Sequence, residues 1–385
     1  MLKHKELDEG EVKAINQKMG DPQVVENLVI GTKANSENRS ATRYRRAVTL
    51  RDVAKAAQVD TSTASRALRP STRNLVRPDT LARVLATAEE LGYRVNPIAR
   101  GLRDQRTMTI GMILPDLANP LFPPIVRGIE DGLREAGYVL VLANTDRDSE
   151  RERNLIDTLL SRQVDGLILA TAERDYPLLD EISERVPTVL VNRTTDDFLV
   201  SSVTSDDHQG MGQAVRHLVE LGHTKIAHVG GTQRASTGAH RYQHYLAWML
   251  SEGLQVDPNL VVFTDWFTQD LGTTACLTLL DRGVPFTAII AGNDLIALGC
   301  YAALRSRGLR VPEDVSVIGY NGIRFCDEFS PPLTSVHAPK YDIGLRAASL
   351  ILEAIEKPDA PAVAVRVPTT LQVRASTAPP SKAHT

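Results

Sequence analysis

Apolar strand-like segments alternate with amphipathic helical segments from residue 108 to residue 319, and this alternation is the feature that most constrains the fold. Continuous apolar runs such as GLILA at 166–170 and TAIIA at 287–291 are typical of parallel strands that helices cover on both faces. The pattern predicts α/β architecture, and its length suits two similar lobes. Ligands of such sheets bind at the carboxyl ends of the strands, which predicts a cleft between the lobes.

The predicted elements form two successive series, one for each lobe. Strands are expected at 108–114, 138–143, 166–170 and 187–192, and then at 225–229, 260–263, 288–291 and 315–319. Helices are expected at 125–136, 151–162, 178–185, 210–221, 240–252, 271–282 and 295–307.

Residues 48–68, VTLRDVAKAAQVDTSTASRAL, contain two short helical patterns on either side of a break at 58–60. Apolar residues mark one face of each pattern: Leu50, Val53, Ala54 and Ala57 in the first, and Ala64, Ala67 and Leu68 in the second. Asp60 stands where an N-cap carboxylate accepts hydrogen bonds from the second helix. The pattern predicts a helix-turn-helix, whose second helix can enter the DNA major groove, and an ordinary helical hairpin is the alternative. A third helix is expected to start at Pro78 and to end before Gly92.

A basic segment contrasts with the rest of the chain. Residues 43–106 contain 14 Lys and Arg against 6 Asp and Glu, whereas the whole chain of 385 residues has a net charge of −3. This asymmetry indicates a polyanionic partner for the basic segment, although charge alone does not distinguish DNA from RNA or a membrane surface. Residues 1–47 show little periodicity and are expected to form a disordered extension, with Met19 as an alternative start.

Several classes of protein are disfavoured by motifs that the sequence lacks. No run of about 18 apolar residues is present, so no membrane partner is expected, and the charged N-terminus lacks the apolar core of a secretory signal. We therefore expect a cytoplasmic protein. Cys276, Cys300 and Cys326 show no CxxC spacing, so neither a metal site nor a disulfide is expected. The absence of GxGxxG, P-loop, GxSxG and HExxH motifs argues against an enzyme and against a bound cofactor.

The ordered set of motifs resembles the LacI/GalR family of transcription regulators from residue 48 to residue 377. TLRDVAKAAQVDTSTASRAL is similar to the family's DNA-binding signature, and LGYRVNPIARGL is similar to its hinge. DGLILA, HLVELGHTKIAHVGG, AGNDLIALG, DVSVIGYN, PPLTSV and TTLQVRAST resemble landmarks of its effector domain.

The resemblance implies an α-helical helix-turn-helix DNA-binding domain joined to an α/β two-lobed effector domain like that of the periplasmic binding proteins. The DNA-binding domain would span residues 48–94 and the hinge residues 95–107. The effector-binding and dimerisation domain would span residues 108–378, crossing between its lobes near residue 205, and a tail would follow at 379–385.

The resemblance also implies which residues contact DNA. The recognition helix would meet base edges through Thr61, Ser62 and Arg66, since the fork of an arginine suits guanine or a phosphate. The hinge pattern N-x-x-A-R-x-L is formed by Asn96, Ala99, Arg100 and Leu102. The full set of implied DNA-binding residues is Thr49, Thr61, Ser62, Thr63, Ser65, Arg66, Asn96, Ala99, Arg100 and Leu102. In the family the hinge leucines of two subunits wedge into a minor-groove base step, and Leu102 is the candidate here.

An effector site is implied in the cleft. Arg241 stands where the family places a ligand-binding arginine, whose guanidinium can hold two sugar hydroxyls or a carboxylate. The full set of implied effector residues is Asn119, Phe122, Arg193, Arg241, Trp266, Asn293 and Asn321. Asp294 is expected to cap the helix that follows it.

Three departures from the family pattern affect these expectations. Gln58 replaces the usual turn glycine, and Val95 replaces the proline usual before the hinge. Asn321 and Gly322 replace an acidic pair that would accept hydrogen bonds from sugar hydroxyls, so a standard hexose is not the expected effector.

We therefore predict a homodimeric, nucleoid-associated transcription regulator of the repressor kind that binds double-stranded DNA at a near-palindromic operator, with a tetramer left open. Its operator affinity would respond to a small-molecule effector, a sugar or related polar metabolite. The alternative is a periplasmic-type solute-binding protein with no role on DNA.

Overall fold

The computed structural model describes residues 48–93 and 106–381, apart from the side chains of residues 70 and 71. The chain divides into two compact units, Met1–Val95 and Asn96–Thr385. The predicted hinge contacts at Asn96, Ala99, Arg100 and Leu102 lie outside the described residues.

The described part of the first unit is helical. It contains α1 (Leu50–Ala56), α2 (Thr61–Ala67) and α3 (Pro78–Glu90), with a 3₁₀ helix (Pro70–Leu75) before α3. Its core consists of small apolar side chains, namely Val53, Ala54, Ala57, Ala64, Ala67, Val84 and Ala88. The Nε of Arg83 on α3 donates to the carbonyl oxygen of Ala57 at 3.0 Å and so fixes α3 against the end of α1. The predicted helix pair and third helix are confirmed.

The turn between α1 and α2 has the strained backbone that its sequence indicated. Gln58 adopts φ 53°, in the left-handed region, and that conformation costs roughly 1–2 kcal/mol for a residue with a Cβ. A glycine would adopt it without this cost.

The second unit contains two lobes, each built on a six-stranded sheet. Its elements are, in chain order, β1 (Thr109–Leu114), α4 (Phe122–Arg134), β2 (Val139–Asn144), α5 (Ser149–Ser161), β3 (Gly166–Leu169), α6 (Leu178–Ser183), β4 (Thr188–Val191), β5 (Ser201–Ser205), α7 (Asp207–Glu220), β6 (Ile226–Gly230), α8 (Ser236–Ser251), β7 (Val261–Phe263), α9 (Gln269–Asp281), β8 (Ala288–Ala291), α10 (Asp294–Ser306), β9 (Ser316–Asn321), β10 (Thr334–His337), α11 (Lys340–Glu356), β11 (Ala364–Val367) and β12 (Thr370–Gln372).

Parallel pairing dominates both sheets. The first lobe has the strand order β11-β5-β4-β3-β1-β2, and the second has the order β12-β10-β9-β8-β6-β7. In the second sheet β12 runs antiparallel to β10, while the other neighbours pair in parallel. Buried apolar clusters lie on both faces of each sheet, as parallel sheets require. The predicted α/β fold class is confirmed.

The chain crosses between the lobes at three places. It leaves the first lobe after β5, returns between β10 and α11, and passes back between β11 and β12. The crossing near residue 205 agrees with the prediction from the sequence. The two later crossings were not predicted, because β10, α11, β11 and β12 were not among the predicted elements, and neither was β5.

Two glycines bring α4 and α11 together in the first lobe. A Cβ on Gly128 would lie 2.1 Å from the carbonyl oxygen of Tyr341, and one on Gly344 would lie 2.2 Å from the carbonyl oxygen of Ile125. Any larger residue would therefore separate the helix backbones. Because α11 follows the second crossing, this contact fixes the crossing segment on the first lobe.

Among the helices that the structure describes, none combines the length and the apolar character needed to span a bilayer.

Candidate functional site

The start of α2 is fixed by the carboxylate of Asp60. Its Oδ1 accepts hydrogen bonds from the backbone N–H groups of Ser62 and Thr63, each at 2.9 Å. The hydroxyls of the same two residues also donate to this carboxylate. These hydrogen bonds favour the charged form and hold the pKa of Asp60 well below its usual range. The predicted N-cap is confirmed.

The candidate base-reading side chains lie on one side of α2. Thr61, Ser62 and Arg66 are exposed, and Ser65 is half-buried one turn after Thr61. Positions 61, 62, 65 and 66 are spaced so that they share a helix face. This face therefore presents three hydroxyls and a guanidinium that the small core does not need, and the hydroxyl of Ser62 also takes part in the cap through Asp60.

Two more of the predicted DNA-contacting hydroxyls, those of Thr49 and Thr63, also take part in helix capping. Thr49 forms a capping box with Asp52, its hydroxyl donating to that carboxylate at 2.7 Å. Thr63 is half-buried, and its hydroxyl donates to Asp60 at 2.8 Å. These contacts give Thr49 and Thr63 structural roles at helix starts, and the structure leaves their predicted roles on DNA untested.

A cavity lies between the two lobes of the second unit. Residues that follow strand ends supply most of its wall, as parallel sheets predict. All of the predicted effector residues line it, namely Asn119, Phe122, Arg193, Arg241, Trp266, Asn293 and Asn321. The structure thus brings the predicted side chains together, although they differ in how far the protein itself supplies their hydrogen-bond partners.

Arg241 on α8 is buried, with 3% of its surface exposed, and is held by the second lobe itself. Its Nε pairs with the carboxylate of Asp207 at 3.1 Å, and Nη1 donates to the carbonyl oxygen of Gly292 at 2.8 Å. Nη2 donates to Oδ1 of Asn321 at 3.2 Å. The guanidinium carbon also lies 3.8 Å from the ring centroid of Tyr320. The second lobe therefore occupies all three nitrogens of this guanidinium.

Asn321 is positioned by strained backbone and by a buried lysine. It ends β9 with φ 100°, in the left-handed region. Lys340 Nζ donates to the carbonyl oxygens of Asn321, Gly322 and Ala338 at 2.6, 2.8 and 3.1 Å. Burial lowers the pKa of this lysine from its ordinary value. Since Lys340 begins α11, it ties a cleft residue to the second crossing between the lobes.

The helix α10 is capped by Asn293 rather than by Asp294, which corrects the sequence expectation. The side chain of Asn293 accepts from the backbone of Ile296 at 2.8 Å. Asp294 is wholly buried, and its carboxylate accepts from the hydroxyl of Ser335 at 2.5 Å and from the backbone of Ile323 at 2.8 Å. Burial raises the pKa of Asp294 to about 6. Asp294 thus secures the loop after β9.

The aromatic wall of the cavity has charged neighbours. Phe122 is nearly buried at the start of α4, and Asn119 accepts from the backbone of Leu121 at 3.0 Å just before it. The guanidinium carbons of Arg147 and Arg234 lie 5.9 and 5.8 Å from the ring centroid of Trp266. Trp266 thus offers the cavity an aromatic surface with cationic groups beside it.

Arg193 in the first lobe is as deeply buried as Arg241 but far less bonded. It follows β4, is 5% exposed, and its Nη1 donates to the carbonyl oxygen of Thr171 at 3.0 Å. Its buried Nε has no hydrogen-bond partner among the described residues. Burial lowers the pKa of Arg193 to about 10, although the charges of Glu173 and Glu152 oppose the shift. The side chain is thus still cationic at neutral pH.

A second cavity adjoins the first. Four residues line both, namely Pro115, Arg147, Arg193 and Trp266. The lobes also contact each other nearby: the backbone N–H of Thr194 donates to Ser236 Oγ at 2.9 Å, and Arg234 lies 3.5 Å from Glu173.

Several lining residues were not predicted from the sequence, including Asp116, Arg147, Asn192, Thr237 and Phe267. Arg147 and Phe267 each follow a predicted strand by four residues and Asn192 ends one, so their position at a carboxyl strand end was a usable signal. Thr237 lies on α8 and had no such signal. Within the described residues, no cluster of histidine, cysteine and carboxylate side chains could hold a metal ion.

Comparisons with known proteins match both units. Residues 49–96 match the family described as bacterial regulatory proteins, lacI family, and residues 215–377 match the periplasmic binding protein-like domain. The catabolite control protein A of Priestia megaterium is 36% identical over 332 residues, which cover 86% of this chain and 99% of the relative.

Solved structures give the same similarity. A complex of the transcriptional regulator CelR with cellobiose is 34% identical and superposes with a TM-score of 0.66, covering 86% of this chain and 99% of that one. A lac repressor dimer bound to operator and an anti-inducer is 26% identical, with a TM-score of 0.77, and covers 86% of this chain and 100% of that one.

Proposed function

This chain belongs to the LacI family of bacterial regulatory proteins, and on that basis we propose that it is a repressor that reads a near-palindromic operator as a homodimer. It is a DNA-binding transcription regulator under the control of a small-molecule effector, and it is not an enzyme. The alternative of a solute-binding protein without a role on DNA is not favoured, because the DNA-binding family matches at residues 49–96. In this proposal the protein acts in the cytoplasm, in association with the nucleoid.

The observation that carries the proposal is the exposed face of α2. Thr61, Ser62 and Arg66 are held outward on a helix whose start is fixed by Asp60 and whose other face is core. A short, well-capped helix of this kind fits the major groove, where Arg66 would reach guanine or a phosphate and the hydroxyls would meet base edges. Ser65 and Thr49 would add contacts at the edge of this surface.

The hinge residues Asn96, Ala99, Arg100 and Leu102 would carry the second part of DNA binding. In this proposal Leu102 and its counterpart in the partner subunit enter the minor groove as an apolar wedge and kink the operator. Because two half-sites are read together, the operator has near-two-fold symmetry.

Effector control would act through the three crossings between the lobes. A ligand that contacts Arg193 and Asn119 on one lobe and Trp266 and Asn293 on the other favours one relative position of the lobes over another. We propose a sugar or a related polar metabolite as the ligand, since amides, guanidinium groups and an aromatic face together suit such molecules. A coupling of about 1–3 kcal/mol would change operator affinity roughly 5–150-fold.

The test is a titration of the full-length protein with a palindromic site from near its own gene and with random DNA of equal length. We expect preference for the palindrome, a bent complex, and a protein mass that corresponds to a dimer or, if dimers associate, a tetramer. Arg66→Ala should weaken the specific complex by about 1–3 kcal/mol and the random complex much less. Equal affinity of the unaltered protein for the two DNAs would refute the proposal.

A further inference from the structure

Arg193 is a buried cation whose hydrogen-bonding capacity the protein leaves largely unused. A guanidinium has five N–H donors, and the described structure gives this one a single acceptor, the carbonyl oxygen of Thr171. Burying an ionised group without partners is costly. In a cleft that holds a ligand, this cost indicates that the missing partner comes from the ligand.

The carboxylates around Arg193 already have partners. Glu152 accepts hydrogen bonds from the hydroxyls of Thr171 and Tyr176, the latter at 2.5 Å. Glu173 lies 3.5 Å from Arg234, which approaches it from the other lobe. Their charges moderate the cation of Arg193, but neither makes a hydrogen bond to it in the described structure.

Arg147 brings a second guanidinium to the same place. Arg193 and Arg147 both line the two adjoining cavities, so they lie where these meet. Arg147 is only weakly paired, because its Nη2 is 3.9 Å from Asp116 and about a third of each side chain is exposed. Arg241, the remaining arginine of the first cavity, is bonded to Asp207, Gly292 and Asn321.

We propose that the effector carries an acidic group, a carboxylate or a phosphate, that binds between Arg193 and Arg147 where the two cavities meet. An acidic oxygen group accepts paired hydrogen bonds from a guanidinium and also compensates its charge, which a neutral hydroxyl cannot do. The rest of the ligand would lie against Trp266 and the amides of the first cavity. This inference rests on the proposed function, since it specifies the ligand of the same cleft.

The test compares neutral and acidic forms of the same probe at constant ionic strength. Full-length protein is titrated with glucose, glucuronate and glucose 6-phosphate, and with ribose and ribose 5-phosphate, by calorimetry and thermal shift. Inorganic phosphate against chloride supplies the simplest anion. We expect at least one acidic sugar to bind ten times more tightly than its neutral parent, and phosphate to raise Tm above chloride. A carboxylate preference and a phosphate preference are separated by the glucuronate and glucose 6-phosphate arms.

Variants assign the preference to its residues. Arg193→Gln should abolish the advantage of the acidic probes, and Arg147→Gln should reduce it. Arg185→Gln is the matched control, because Arg185 is an exposed arginine of the same lobe, 3.6 Å from Glu181. The control should behave like the unaltered protein.

The inference is overturned if acidic and neutral probes are indistinguishable, or if Arg193→Gln keeps the preference. Operator binding without any probe, measured on the same preparations, tests the proposed function separately. Intact operator binding with no acid preference would refute this inference alone.

Discussion

The two lobes each bury one arginine in the wall of the same cleft, and the two differ in what surrounds them. Arg241 in the second lobe has a carboxylate, a carbonyl and an amide as partners and an aromatic ring beneath it. Arg193 in the first lobe has one carbonyl. The two arginines are therefore similarly buried and similarly placed, but the protein supplies Arg241 with many more hydrogen-bond partners than Arg193.

This difference shows that a cleft arginine can belong mainly to the fold. A guanidinium whose three nitrogens are bonded to the protein stabilises its own lobe and positions neighbours such as Asn321. One that is left mostly unbonded costs stability until a ligand arrives. We therefore expect replacement of Arg241 to lower mainly the stability of the protein, and replacement of Arg193 to change mainly its choice of ligand.

Replacing Arg241 should have the largest effect on stability. Arg241→Met leaves Asp207 buried, with 8% of its side chain exposed and without its ion-pair partner. Loss of one member of a buried pair costs about 3–5 kcal/mol, so the free energy of unfolding in urea should fall by that amount. Operator binding and effector response should then be lost together at elevated temperature.

The double variant Arg241→Met, Asp207→Asn distinguishes the loss of the ion pair with Asp207 from the loss of side-chain packing by Arg241. Removing both charges should restore a large part of the lost stability, because no uncompensated carboxylate remains. If Arg241→Met alone kept full stability and lost only the effector response, the division between the two arginines would be wrong.

Replacing Lys340 should have the next largest effect on stability. Lys340 donates to the carbonyl oxygen of Asn321, whose side chain accepts from Arg241. Lys340→Met removes a charged donor from three carbonyl oxygens, and hydrogen bonds to charged groups contribute roughly 1.5–3 kcal/mol. We expect a loss of stability of this size and a smaller dependence of operator binding on effector. Lys357→Met is the control, because Lys357 is an exposed lysine of the same segment. Equal losses in the two variants would contradict a specific role for Lys340.

His228 should make the second lobe acid-sensitive. It is wholly buried, with Nδ1 2.9 Å from the carbonyl oxygen of Ile290, and burial lowers its pKa from 6.5 to about 4, with a contribution from the charge of Arg241. Between pH 6.5 and 4 the unfolded chain therefore binds more protons than the folded protein at this site, so stability is lost as the pH falls. From pH 7 to pH 5 the loss should be about 2 kcal/mol.

The difference between the unaltered protein and His228→Asn isolates this contribution. Asp294 has the opposite sign, because its raised pKa adds stability as the pH falls from about 6 towards 3.8. Urea unfolding of both proteins at pH 7 and pH 5 cancels that shared term. A pH dependence that is the same in the two proteins would exclude His228 as its source.

Much of the fold could be predicted from the sequence, because apolar periodicity reports directly on burial. The strands β1–β4 and β6–β9 were found from continuous apolar runs such as GLIL in β3. The missed strand β5 reads SSVTS, and its burial comes from tertiary pairing that its polar composition does not indicate. The helix α11 has a clear apolar face, but its return to the first lobe depends on contacts such as Gly128 against Tyr341.

Seven of the residues that line the first cavity could also be predicted, but the role of each residue could not. Asn293 and Asp294 are both good N-cap residues by type, and only the backbone shows that Asn293 caps α10. Likewise, the sequence does not show which of Arg193 and Arg241 has its nitrogens hydrogen-bonded by the protein itself. Whether each has partners depends on Thr171, Asp207 and other residues far away in the chain, so it is a property of the folded structure.

Replacing Arg193 should change stability least, which is the sharpest contrast with Arg241. Arg193→Met removes one hydrogen bond to Thr171 and also removes a buried cation whose Nε has no hydrogen-bond partner among the described residues. These effects oppose each other, so the free energy of unfolding without ligand should change by less than about 1 kcal/mol. Arg185→Met, at an exposed position of the same lobe, should match it. A loss of stability as large as that of Arg241→Met would contradict this contrast. It would mean that Arg193 also stabilises the fold, through hydrogen bonds to the first lobe.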